Sequence, residues 1–179
     1  MKSKDFDTGP LADVTAREDD GRWTLTFIRI LRHPREKVWA ALTDPDRLAK
    51  WAPYTADRNL GRTGDAILTM LGGESAQGLG ATVTRAEAPT LLEYTWGEDR
   101  LRWKLDAVDA GTRLTLHHTV QGQEWLSKVA AGWHLCLIVA EYLLDGHPIT
   151  PIVGEDAHNY GWDQLNDAYA KRLTPDHAR

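Results

Sequence analysis

The sequence predicts an α+β domain in which a curved antiparallel sheet wraps around one long C-terminal helix, with two short helices after the first strands. Three observations carry this prediction. The stretch from Gln123 to Asp145 reads as a single helix, because Leu126, Val129, Ala130, Trp133, Leu137, Ala140 and Leu144 recur at spacings of three and four. Before it, three rows alternate with a period of two: Leu92, Tyr94, Trp96; Leu101, Trp103, Leu105; and Leu114, Leu116, His118, Val120. A sheet that is apolar on one face needs a cover, and the long helix is the element large enough to supply it.

Taken in order, Met1–Pro10 is polar and is read as a flexible tail. Leu11–Glu18 and Arg22–Arg32 read as strands joined by an Asp20-Gly21 turn, a dipeptide suited to a tight hairpin. Pro34 opens a helix with Val38, Trp39, Ala41 and Leu42 on its buried side. Thr43-Asp44-Pro45 ends that helix and caps a second, whose Leu48 and Trp51 face inward before Pro53 stops it. From Asp57 to Gly122 strands follow one another, punctuated by Gly61, Gly64-Asp65, Gly72-Gly73, Ala88-Pro89, Gly97-Glu98 and Gly111.

The long helix starts after Gly122 and stops at Gly146 and Pro148. Leu135, Ile138, Val139 and Tyr142 make its back apolar as well, so Pro148–Leu173 or a second subunit in a homodimer should cover them. Mid-helix Gly132 costs about 1 kcal/mol against alanine, which suggests close approach of another backbone. His158–Leu173 reads as a last helix with Trp162, Leu165, Tyr169 and Leu173 on one side. The expected organisation is therefore a tail (1–10), one domain (11–146) and a C-terminal extension (147–179) whose helix packs on that domain.

A formal charge of −5 and a pI near 5.8 argue against nucleic acid or an anionic membrane as partner. The lone Cys136 cannot form an internal disulfide. Met1–Pro10 lacks the apolar core of a signal peptide, and the longest apolar run, Leu135–Ala140, is too short to span a bilayer. A cytoplasmic location is the resulting expectation. Eight tryptophans against two phenylalanines stand out, since an indole suits a pocket wall as well as a core.

Several blocks resemble the heat-shock ATPase activator homologue (AHSA-type) family of the START-like (SRPBCC) helix-grip superfamily. They are Pro34-x-x-x-Val38-Trp39-x-Ala41-Leu42-Thr43-Asp44-Pro45, Leu48-x-x-Trp51-x-Pro53, Gly64-Asp65, Tyr94-Thr95-Trp96, Gly111-Thr112-x-Leu114-x-Leu116 and Gly132-Trp133. The resemblance covers about Gly21 to Gly146, and Pro148–Arg179 extends beyond the family's usual final helix. It implies a sheet gripping the long helix around a hydrophobic cavity that binds a small apolar or aromatic molecule. Some members act as cyclases, lyases or hydrolases, so the fold leaves the function open.

The candidate ligand-binding residues are Tyr94, Trp96, Trp103, Leu116, His118, Trp133, His134, Leu137 and Glu141. The aromatic ones serve equally as pocket wall or plain core. His118 shares a face with Leu114 and Leu116, where it is either tethered within the core or orients a ligand. His117-His118 does not suit one metal ion, because neighbours on a strand point to opposite faces. His134 and Glu141, seven apart on the helix, are either its polar border or an acid–base pair at a cavity rim. Cys136 lacks a basic helper and reads as a buried structural thiol. No phosphate loop, nucleophile elbow or metal motif is present, so no catalytic residue, metal or cofactor is assigned. Small-molecule carriage is the leading expectation. The alternatives are a cyclase- or hydrolase-like enzyme using His118 and a chaperone-associated interaction module.

Overall fold

The computed structural model describes residues 6–72 and 77–173. The first five residues of the expected tail, Gly73 of the Gly72-Gly73 break and the last six residues of the extension thus lie outside the described residues.

Eight strands form one antiparallel sheet: β1 (Asp13–Asp19), β2 (Arg22–Leu31), β3 (Tyr54–Ala56), β4 (Gly64–Met70), β5 (Gly78–Glu87), β6 (Leu91–Trp96), β7 (Asp99–Val108) and β8 (Gly111–Val120). Their spatial order is β1-β2-β8-β7-β6-β5-β4-β3, so the last strand returns to pair with the second. The other pairs are sequential neighbours, as short connections favour. The strand β3 lies before Asp57, where the alternating pattern begins, and three residues are too few to show a period.

Two short helices, α1 (Arg35–Thr43) and α2 (Pro45–Leu48), follow β2. The Asp44 carboxylate accepts from the Asp46 backbone N–H and caps α2 at its start. Within α1, Val38, Ala41 and Leu42 are buried, whereas Trp39 is only half-buried. Trp51 is fixed in the core by donation from its indole to the Ala41 carbonyl at 2.8 Å.

The long helix α3 (Leu126–Leu144) is entered through a 3-10 turn at Gln123–Trp125. Its C-terminus closes with Gly146 N–H on the Leu143 carbonyl (3.1 Å) and His147 N–H on that of Tyr142 (2.9 Å). That pattern satisfies two end carbonyls and needs the left-handed conformation adopted by Gly146, φ +83°. Lys37 of α1 also donates its ammonium to the Leu144 carbonyl, tying α1 to the end of α3. Leu126, Trp133, Leu137 and Leu144 are all buried, as the helical spacing requires.

The apolar back of α3 is covered by the C-terminal segment. Leu135 and Val139 are buried, and Tyr142 is half-buried. A single helix over His158–Leu173 is not formed. A 3-10 segment, Gly154–Tyr160, ends at left-handed Gly161 (φ +93°), and α4 (Trp162–Leu173) begins after it. Such a residue reverses the chain direction and divides the two. The helix α4 packs on α3 through buried Leu165 and Tyr169, and Ser127 donates to Asn166 Oδ1 at 2.7 Å. Upstream, the connector is pressed against the end of β4. A Cβ on Gly72 would lie 2.7 Å from Val153 Cγ2, and one on Gly154 would lie 2.6 Å from the Gly72 carbonyl oxygen.

Candidate ligand-binding site

Beneath the sheet the space beside α3 is filled by rings. Trp51, Tyr54, Tyr94, Trp103 and Trp133 are all at most 3% exposed. Trp133 stands at the centre, with the rings of Trp103, Trp51 and Tyr54 at 5.2, 6.4 and 6.4 Å. Their polar atoms bond to one another. The Trp103 indole donates to Tyr94 Oη at 3.2 Å, and the Tyr94 and Tyr54 hydroxyls share a short hydrogen bond. Burial pushes the Tyr94 phenol up to about 12 and raises that of Tyr54 also, so both remain protonated. Trp51 faces inward as expected, whereas Tyr54 belongs to this cluster but lacks the alternating neighbours that would have marked it in the sequence.

His118 closes one side of the cluster. The Trp133 indole, which can only donate, points at its Nδ1 from 3.0 Å. The ring proton therefore sits on Nε2, which donates to Asp99 Oδ2 at 2.8 Å. Both ring nitrogens are thus used, and the ring is fully buried. His117 faces the other way, as expected for its neighbour on a strand, and Nδ1 lies 3.0 Å from Thr26 Oγ1.

Open space begins at the mouth of the grip. A narrower chamber of about 230 Å³ has α3 as its floor, through Val129, Gly132, Trp133 and Cys136, and the connector residues Ile152 and Val153 as its outer wall. A wider chamber of about 470 Å³ adjoins it, bounded by Met70, Leu79, Val120, Trp125, Asp99 and His118. Trp96 and Val129 belong to both and form the partition. Trp96 is held there by donation to Met70 Sδ at 3.3 Å and by the Tyr54 ring at 4.9 Å. Burial raises the Cys136 thiol to about 12, far from the thiolate form a nucleophile needs.

Gly132 does not admit another backbone, contrary to the sequence-based expectation. A Cβ built there meets nothing within 4 Å. The missing side chain instead deepens the narrower chamber.

The candidate residues therefore divide into groups. Trp96, Trp133 and His118 border the chambers. Tyr94, Trp103, Leu116 and Leu137 lie in the packed interior, each at most 1% exposed. His134 and Glu141 face the N-terminal segment, β2 and α4. His134 Nε2 donates to the Thr8 carbonyl at 2.6 Å, and Nδ1 accepts from Tyr169 Oη at 2.6 Å, which itself accepts from the Ala12 N–H at 2.8 Å. Glu141 is paired with Arg29 at 2.9 Å. Neither reaches the chambers. Val129, Gly132, Trp125 and the connector complete the site and were not singled out as candidates. Val129 could have been found from the helical spacing, but the connector has no periodicity to place it.

An antiparallel sheet curled around a long C-terminal helix, with short helices after the second strand, defines a helix-grip, START-like protein. The family model described as "Activator of Hsp90 ATPase homolog 1-like protein" matches residues 32–139, and the chain belongs to that family. Among solved structures, CalU16 from Micromonospora echinospora is 19% identical with a TM-score of 0.65, covering 89% of this chain and 95% of its own. The protein encoded by BPP1335 from Bordetella parapertussis is 23% identical with a TM-score of 0.64, covering 97% of this chain and 98% of its own. An AHSA1-like protein from Aeromonas hydrophila is 20% identical with a TM-score of 0.58, covering 69% and 92%. At these identities the likeness is one of fold. The Bordetella match is long enough to include the C-terminal extension, so that extension is not peculiar to this chain. No curated protein matches the sequence.

Proposed function

We propose that this protein binds a small apolar or aromatic molecule in the cleft at the mouth of the grip, between Trp96, α3 and the connector. The observation that carries this reading is Gly132. A glycine in mid-helix costs about 1 kcal/mol relative to alanine, and no neighbour within 4 Å of its Cβ position accounts for it. What it provides is depth in a chamber lined largely by apolar side chains. A concave apolar site with few polar groups suits recognition of a small molecule. Carriage is favoured over catalysis by His118, because both its nitrogens are already bonded within the protein.

A thermal-shift screen against aromatic and lipid-like compounds should identify a ligand. Gly132→Leu then tests the site. It should fold with an unchanged or higher melting temperature, since leucine is the better helix former, yet weaken the hit by about tenfold or more through occupying the chamber. A hit that binds Gly132→Leu as tightly as the unmodified protein would place the site elsewhere.

A further inference from the structure

The two chambers differ in charge. Two carboxylates, Glu98 and Asp99, line the wider one, with no lysine or arginine among its lining residues. The narrower chamber has Lys128 at its edge and no acid. Asp99 lies opposite Trp96 across the β6–β7 hairpin, so both side chains project from the inner face at the mouth. His118 Nε2 donates to its Oδ2, and Trp133 fixes the tautomer that makes this donation obligatory. Among the described residues Asp99 Oδ1 has no side-chain partner, and the side chain is 26% exposed. The aromatic surface beside it includes Trp96 and Trp125. The Trp125 ring is already engaged by the protein's own ammonium, since Lys128 Nζ lies 4.9 Å from its centroid, which leaves Trp96 as the indole beside Asp99.

We infer that the preferred ligand is a cationic amphiphile, whose apolar body fills the cleft and whose protonated amine pairs with Asp99 in the wider chamber. This rests on the small-molecule reading above. His118 acts as a positioning residue, since it aims the carboxylate without touching the ligand. An ammonium would meet Oδ1 beside the Trp96 indole, whereas a carboxylate head would meet two like charges.

Isothermal calorimetry with phenylbutylamine, phenylbutanol and phenylpentanoate tests the inference on the intact chain. The amine should bind about tenfold or more tightly than the alcohol, the scale of one charge-assisted hydrogen bond, and the carboxylate should bind weakest. Asp99→Asn keeps an acceptor for His118 and should bring the amine-to-alcohol ratio within about twofold. Should that variant fail to fold, raising salt from about 50 to about 500 mM on the unmodified protein must erode the amine's advantage, because the ion pair is partly exposed. Equal binding of amine and alcohol overturns the inference and leaves the apolar-ligand reading intact. So does an amine preference that survives both Asp99→Asn and salt. Binding of none of the three, together with an empty library screen, overturns both.

Discussion

Trp133 donates its indole proton to His118, and His118 donates its own to Asp99. Removing the middle member strands both ends. His118→Leu roughly keeps the volume but leaves the buried indole N–H without an acceptor, which costs about 1–3 kcal/mol. Chemical denaturation should show a loss of that size, and a variant as stable as its parent would mean that the relay contributes nothing to the fold. The inward direction of His118 is legible from the period of two along Leu114, Leu116 and Val120. Its partners are not legible, because Asp99 is 19 residues away and reaches it only through the register of β7 on β8. Gly132 is similar. Its cost can be read from the helix, but the space that explains it depends on where the connector passes.

Elements are held to the back of α3 by a second polar chain, from Thr8 through His134 and Tyr169 to Ala12. The ring accepts from Tyr169 and is therefore neutral. Burial, first, and the Arg29 charge lower the affinity of His134 for a proton, against the opposing pull of the Thr8 carbonyl and Glu141. The unfolded chain thus binds the proton more readily, from the ordinary value near 6.5 down to the lowered folded value. Stability from this group is complete above that range and is lost as the pH falls through the folded value. Hydrogen-exchange protection of the Ala12 amide and of α4 should accordingly decline as the pH falls below the ordinary histidine value near 6.5. In His134→Leu that decline should largely disappear. Protection that is flat in the parent would contradict a linking role for the histidine. The sequence showed that α4 was amphipathic and that the back of α3 needed a cover. It did not show the break at Gly161, because the apolar spacing runs on either side of it without interruption.

For the molecule as a whole, the C-terminal extension does two things. Its helix α4 packs on α3 through Leu165 and Tyr169, and its connector supplies the outer wall of the cleft through Ile152 and Val153. A chain truncated after Gly146 should melt at a lower temperature, bind a hydrophobic dye and lose the ligand. Unchanged melting with retained binding would show that the extension is dispensable to both. The helix-grip architecture was legible because a one-sided meander followed by a long apolar helix leaves few ways to bury both. Where the open space would lie was less legible, because ring packing beneath the sheet depends on Trp51, in the turn after α2, and on Tyr54 of β3.

The central claim is that the ligand enters the mouth of the grip and not the interior beneath the sheet. The eight tryptophans allow a direct measurement by nitrogen–proton NMR of their indole groups during a ligand titration. The indoles of Trp96, Trp125 and Trp162, which line the chambers, should shift. Those of Trp51, bonded to the Ala41 carbonyl, and Trp103, bonded to Tyr94, should stay in place. Shifts at Trp51 and Trp103 with Trp96 and Trp125 unmoved would put the ligand in the interior and contradict the account.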